Sequence, residues 1–408
     1  MKCALSLFVL IAVASSLCAA DWPAWRGPTG QGFCDEKNVL LKWSDKENVK
    51  WKIPLEHQGN STPVVWADKI FLTQANQDGV VRSLLCLARA DGKLLWRKDI
   101  PYSEKEKNWN ANWYCNASPV TDGQRVVVSF GSAGMYCFDF AGEPLWKRTD
   151  LGKWEHSFGN GSSPLLHGDL AILWCGPNET KGRNFLLAVN KTTGETVWEH
   201  DEQAGSWGTP LITDVAGRDQ LLLSTVPHLK GIEPQTGKEL WHCDGLTKYV
   251  YTSPLYSNGV AVAMSGFNGA ALAVRLGGAG DITADRLWHH DKNIQRVGSG
   301  MIVGEHVYII EENGVPHCYD LKTGKEVWKV EKRPSGGTTW GSMVHADGRL
   351  YVLMRDGATH VFAASPKYEL VATNSLGPDE STNSTLAISN GDIFIRTFKH
   401  LWCISGQK

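Results

Sequence analysis

Eight cysteines lie beyond the first twenty residues: Cys34, Cys86, Cys115, Cys137, Cys175, Cys243, Cys318 and Cys403. An even number in an exported chain invites a disulfide reading. Cys86, Cys137, Cys318 and Cys403 recur at one place in a repeat, where a small residue is wanted, so they read as buried spacers. Cys34, Cys115, Cys175 and Cys243 remain available for bridges, with no pairing implied. No set of His, Cys and carboxylate residues has metal-ligand spacing, so no metal is expected. His289 and His290 are neighbours, and neighbours on a strand face opposite ways, which makes them a poor chelating pair. Glu104 to Lys107 reads as a solvated run of charge. Six Asn-x-Ser/Thr sequons occur, at Asn60, Asn116, Asn160, Asn178, Asn190 and Asn383. Three of these precede one recurring marker, so the sequon there is a by-product of the repeat.

That marker also supplies the binding candidates. Asn60, Asn116, Gly161, Trp207, Tyr251, Gly298, Trp340 and Asn383 stand three residues before its third position. Aromatic rings stack and amides orient, so such a mixture suits a sugar, a peptide or a small polar ligand. No residue is singled out as catalytic.

The elements that position these residues follow from a repeat. A tryptophan closes each copy, as in Thr236-Gly-Lys-Glu-Leu-Trp241 and Thr323-Gly-Lys-Glu-Val-Trp328. The series is Trp51, Trp96, Trp146, Trp198, Trp241, Trp288 and Trp328, with neighbours 40 to 52 residues apart. A small pair before Pro or an apolar residue gives the second marker. It begins as Ser61-Thr62-Pro63, Ala117-Ser118-Pro119 and Ser162-Ser163-Pro164 and ends as Ser384-Thr385-Leu386. Eight copies recur about every 46 residues.

Inside a unit the pattern is short apolar runs bounded by Asp-Gly and Thr-Gly turns, which reads as about four strands. One such sheet cannot bury both faces. Eight arranged radially can, which predicts an all-β, eight-bladed β-propeller with four-stranded antiparallel blades. The repeated indoles are expected to dock blade on blade. The chain ends in Leu401-Trp402-Cys403-Ile404-Ser405, one strand short of a blade. Val49 to Ile53 is expected to supply that strand and close the ring, so 49–408 is one propeller and 21–48 an extension.

Residues 1–20 read as a signal peptide: Lys2, an apolar run from Leu5 to Ala14, and small residues before a cut after Ala20. Leu17 is too bulky for a lipoprotein signal, which disfavours a lipid anchor at Cys18. With 42% hydrophobic and 21% charged residues the chain is not disordered. A net charge of −2 argues against nucleic acid or an anionic membrane as partner.

Cys318-Tyr-Asp320-Leu-Lys-Thr323-Gly324-Lys-Glu-Val-Trp328 and Ala188-Val-Asn190-Lys-Thr-Thr193-Gly194-Glu-Thr-Val-Trp198 resemble the pyrroloquinoline-quinone-type (PQQ-like) repeat, Ala-x-Asp-x-x-Thr-Gly-x-x-x-Trp. The resemblance covers about Val49 to the C-terminus. Asp21-Trp22-Pro-Ala-Trp25-Arg26-Gly-Pro28 is similar to the start of exported BamB-like proteins of planctomycete-type bacteria. One branch of the family is the quinoprotein dehydrogenases, which bind the quinone and Ca²⁺ and carry an adjacent Cys-Cys bridge over the cofactor. This chain has no Cys-Cys and no Cys-x-x-Cys-His. The resemblance therefore implies the other branch: an exported propeller without catalytic activity or cofactor, a scaffold for envelope proteins. A quinoprotein dehydrogenase and a carbohydrate- or peptide-binding propeller are the alternatives.

Overall fold

The computed structural model describes residues 21–406 except 110, 180–181, 331–333 and 335–336. The leader segment and Cys18 lie outside the described residues. Eight antiparallel sheets are arranged as the blades of a propeller. Blades 1 to 7 follow in chain order, each with its first strand innermost. Those first strands begin at Val64, Val120, Leu165, Leu211, Leu255, Met301 and Val344. Blade 8 takes three strands from 387–405 and its outer one, Val49–Pro54, from the chain start. That strand pairs antiparallel with His400–Ser405, Trp51 opposite Cys403, so the two ends of the propeller share one sheet. Among the described residues no helix is long and apolar enough to cross a membrane.

The repeat motif is the outer hairpin of a blade. Asp320 Oδ1 accepts from the backbone N–H groups of Lys322 and Thr323 and from the Thr323 hydroxyl, which folds the turn. Gly324 then takes a φ of +68°. The small residue ten before the tryptophan is its cross-strand partner: Cys86 faces Trp96, Ala188 faces Trp198 and Cys318 faces Trp328. A bulge beside each pair turns the indole outward, toward the next blade.

Six of the seven indoles cross to the following blade. The Nε1–H of Trp51, Trp96, Trp146, Trp198, Trp288 and Trp328 donates to the carbonyl of Arg89, Phe140, Lys191, Pro234, Leu321 and Ser365, at 2.9 to 3.2 Å. In five of these the ring lies against the turn glycine of its neighbour. A Cβ on Gly194 would come within 2.8 Å of the Trp146 ring.

Trp241 departs from the expected docking. Its Nε1–H donates to Gln220 Oε1 inside its own blade, at 2.7 Å. Two features cause this. Its cross-strand partner is Gly231, where a Cβ would sit 2.1 Å from the indole nitrogen, so the ring folds back over bare backbone. Blade 5 also offers no Thr-Gly turn: a longer connection carries the short strand Gly280–Asp281, which pairs parallel with the outer strand of blade 4.

The second marker forms a belt of hydroxyls at the inner end. The N–H groups of Thr62, Ser118, Ser163, Ser253, Ser299 and Ser342 donate to the hydroxyls of Ser118, Ser163, Thr209, Ser299, Ser342 and Thr385, one blade on. The hydroxyls of Ser253 and Thr62 have no hydrogen-bond partner among the described residues, and they mark breaks between blades 4 and 5 and between 8 and 1. The belt also corrects a register. Ser299 takes the second marker place and Gly300 the third, because Met301 is the first strand residue opposite Tyr308. Val297, not Gly298, therefore stands at the mouth position in blade 6.

The extension crosses the end of the channel reached by the inner strands. Trp22 exchanges backbone hydrogen bonds with Val65 of blade 1, and the Pro23 carbonyl accepts from Thr121 N–H of blade 2. Arg26 Nη2 donates to the Gly300 carbonyl of blade 6, at 2.6 Å. Gln31 Oε1 accepts from Tyr256 N–H of blade 5, at 2.8 Å. Phe33–Cys34 adds a parallel strand beside Val344–Ala346 of blade 7. A segment that touches five blades on different sides of the ring must span the axis. Arg26 is fully buried, Nε and Nη1 lack partners among the described residues, and burial lowers its pKa. Farther on, Trp43 and Leu41 bond to Asn374, filling the side of blade 7, whose outer strand has Ala372 where the others have tryptophan.

Trp146→Phe should cost about 1 kcal/mol by removing one hydrogen bond, and Trp146→Ala about 3–5 kcal/mol. Gly194→Ala should also destabilise, since φ there is +77° and the ring blocks a Cβ. Urea midpoints measure all three, and an unchanged midpoint for Gly194→Ala would contradict the latch.

Candidate functional site

The opposite mouth, where the inner strands begin, collects the residues that precede each marker. Asn60, Asn116, Trp207, Tyr251, Trp340 and Asn383 are all half-buried there. They fall into two sectors with different chemistry.

The amide sector spans blades 8, 1 and 2. Asn60 Nδ2 donates to Asn116 Oδ1 at 2.7 Å, and Asn116 Nδ2 to the Asn160 carbonyl at 2.9 Å. Asn383 Nδ2 donates to the Ala111 carbonyl at 2.8 Å, while its Oδ1 accepts from Arg355 Nε at 2.8 Å. Ala111 belongs to the connection between blades 1 and 2, which folds over this part of the mouth. The amides are thus engaged in holding loops and each other. Asn60 Oδ1 is left buried without a partner among the described residues.

The aromatic sector spans blades 3 to 5. Trp207 anchors it: Nε1–H donates to the Gly159 carbonyl at 2.8 Å, and the ring lies 4.6 Å from Tyr251 and 4.5 Å from His156, edge-on. Tyr249 stacks on Tyr251, and Phe158 on Phe267. Trp109 meets Phe158 edge-on and keeps 52% of its surface exposed; Phe267 keeps 41%. Burial, with Tyr249 adding to it, raises the Tyr251 phenol well above its usual range, so it stays a neutral hydroxyl. Burial lowers the His156 pKa, opposed by the Glu179 carboxylate. A chain of charge joins the two sectors. Arg355 lies over the Trp340 ring at 4.3 Å, Trp340 Nε1–H donates to Glu312 Oε1 at 2.8 Å, Glu312 pairs with Arg296, and Arg296 lies over Phe267 at 4.4 Å.

Trp109, His156, Phe158, Tyr249 and Phe267 carry no repeat signal, because they sit in connections of unequal length. A hint in the sequence is the run of rings ahead of two other mouth positions, Trp109, Trp113 and Tyr114 before Asn116 and Trp154, His156 and Phe158 before Gly161. The eight cysteines are all buried and unpaired, and burial raises the thiol pKa of Cys34, Cys115, Cys175 and Cys243. No bridge joins those four among the described residues.

A ring of eight sheets with one mouth crossed by the chain's own extension and the other lined by rings and amides defines a repeat propeller with one open funnel. A family model described as outer membrane protein assembly factor BamB matches residues 80–330, and the chain belongs to that PQQ-like repeat family. No curated protein sequence matches significantly. Among solved structures, BamB from Moraxella catarrhalis is similar with a TM-score of 0.61 at 14% identity, over 87% of this chain and 96% of that one. The quinohemoprotein alcohol dehydrogenase ADHIIG from Pseudomonas putida HK5 is similar with a TM-score of 0.65 at 12% identity, over 95% of this chain and 81% of that one. The computationally designed Ika8 protein gives 0.59 at 12% identity, over 88% and 100%. At these identities the likeness concerns fold.

A quinone held under adjacent cysteines does not fit the residues present. No two cysteines are neighbours, and all eight described ones are buried and unpaired. Glu312, a carboxylate at the mouth, is already committed to Trp340 and Arg296.

His156 gives a pH test. Its folded pKa lies below the unfolded value of about 6.5, so the unfolded chain binds the proton more readily. Its contribution to stability is present above about pH 6.5 and is lost as pH falls through the window below it. His156→Gln should flatten the fall in unfolding free energy between about pH 7.5 and about pH 5.5. Urea titrations at both pH values measure this, and an identical fall in the variant would refute it.

Proposed function

We propose that this chain is an exported, non-catalytic propeller that serves as a scaffold for protein partners in the cell envelope, engaging them at the aromatic sector of its open mouth. The observation that carries this reading is the placement of Trp109 and Phe267, two large rings left half-exposed on a packed aromatic base with Arg296 beside them. Aromatic and arginine side chains on a rigid support are what protein interfaces use as anchors. Membership of the BamB family agrees with a partner-binding role. Export rests on Lys2, the apolar run and Ala20, with simple cleavage rather than lipid attachment at Cys18. The amide sector then serves as a polar rim, its loops held in place by Asn60, Asn116 and Asn383.

A photo-crosslinking residue at Lys248, exposed beside Tyr249, tests this in intact cells. Discrete protein adducts are expected there and not from Lys37, on the extension side. With the captured partner purified, Trp109→Ala combined with Phe267→Ala should weaken binding at least tenfold, about 1.4 kcal/mol. A glycan that raises the melting temperature of the wild type but not of Trp207→Ala, with no protein adduct, would replace this reading by carbohydrate binding. An absorbance change on adding the quinone with Ca²⁺ would replace it by quinone chemistry.

A further inference from the structure

Blade 4 brings three donor side chains together on one face of its outer strands. His242 and Asp244 are two residues apart on the strand Glu239–Asp244, so strand alternation puts both on the same side. His228 opens the neighbouring strand His228–Ile232 and is the cross-strand partner of Asp244. One nitrogen of each imidazole and a carboxylate oxygen lie within 4.8 Å of one another. His228 Nδ1 is 2.5 Å from Asp244 Oδ1, yet it makes no hydrogen bond among the described residues. The contact is that of a His–carboxylate pair lying off the line of a good hydrogen bond. His242 turns Nδ1 toward Glu239 Oε1 at 2.8 Å. A carboxylate only accepts, so Nδ1 is the donor in this contact, and in the neutral ring Nε2 is then the nitrogen with the lone pair. A carboxylate behind a ligating histidine is the usual outer partner at metal sites.

We propose that His228, His242 and Asp244 form a binding site for a divalent transition-metal ion, with zinc as the simplest occupant. Two imidazoles and a carboxylate suit the borderline ions, and three protein ligands leave a coordination position open to water. Donors on one tetrahedral zinc stand about 3.3 Å apart, given bonds near 2.0–2.1 Å. Reaching that spacing takes small rotations, the His228–Asp244 contact opening from 2.5 Å and the other gaps, none above 4.8 Å, adjusting. Solvent reaches these side chains, since Asp244 is exposed and both imidazoles are half-buried. The surrounding charge allows it. Lys230, opposite His242, is drawn off by Glu202 at 2.8 Å and Glu239 at 3.1 Å. Asp281, opposite His242 on the other side, adds a carboxylate to the same face. The Asp244 N–H donates to Thr283 Oγ1 at 2.9 Å, which steadies the strand end. The site lies on outer strands, not on those lining the channel, and stands independently of the partner-binding reading.

The test uses the purified mature chain after treatment with a chelator. Calorimetric titration with zinc chloride near neutral pH should give one equivalent bound at micromolar affinity or better. Cobalt(II) should give the visible band of a low-coordinate site without a thiolate charge-transfer band. His228→Gln and His242→Gln should each weaken binding at least tenfold, and Glu239→Gln about tenfold through its hold on His242. X-ray absorption on the zinc-loaded wild type should count two imidazoles, a readout that needs no variant to fold. Absence of zinc uptake would leave a plain His–Asp pair and overturn the site. Equal uptake by the double histidine variant would do the same, since the ion would then sit elsewhere.

Discussion

An indole N–H that reaches a carbonyl on the next sheet sets the geometry of the ring. Two twisted sheets in face contact can slide and rotate at little cost, since apolar contact has no direction. A tryptophan adds direction at the outer end: the flat ring rests on a glycine turn and the nitrogen fixes its depth. The hydroxyl belt does the same at the inner end, with an N–H on one blade bonded to Ser or Thr on the next. At five of the eight interfaces both devices act and the blades are held at both ends as wedges; of the two, the belt alone joins blades 7 and 8, and the indole alone joins 8 and 1. Between blades 4 and 5 both devices are missing. There the strand Gly280–Asp281 joins the outer edge of blade 4, and an apolar cluster including Leu222, Cys243, Val250, Ala263 and Ile282 fills the interface.

The sequence carried the ring clearly because each latch needs one residue type at one place. Trp96 and Trp288 announce themselves, and so do Ser118 and Ser342. What stayed hidden depends on the neighbour. Trp241 looks like its counterparts, but its destination is decided by Gly231 across the strand and by the absence of a turn on blade 5. The one-residue shift at Ser299 was invisible because Gly300 replaces the proline that marks the register in blades 1 to 5, and Met301 mimics the apolar residue of blades 7 and 8. The amides of Asn60, Asn116 and Asn383 could be placed at a mouth, but their bonds to each other and to Ala111 required the loops. Phe158, Tyr249 and Phe267 come from connections without a period. His228 and His242 are far apart in the chain and meet only once the strand register is known.

The same architecture supports an envelope assembly factor, an alcohol dehydrogenase and a designed protein. The latch of indole, glycine turn and hydroxyl belt lies in the interfaces between blades. Chemistry enters where the repeat is irregular, in connections that vary in length and in the rim strands. Here those places hold an aromatic platform, an arginine–glutamate chain and a histidine pair.

The extension links the fold to the order in which the polypeptide is made. Trp22, Arg26 and Phe33 are synthesised early, yet their partners include Gly300 and His345, and the strand at Val49 waits for Ile404. The head of the polymer is thus among the last parts to find its seat. Such distant pairings give a high contact order and slow folding. Until the tail arrives, the nascent ring has an open edge at each end and an empty axle. A chain built this way needs protection from aggregation for the whole of its translation, and a late truncation would unsettle its beginning as much as its end.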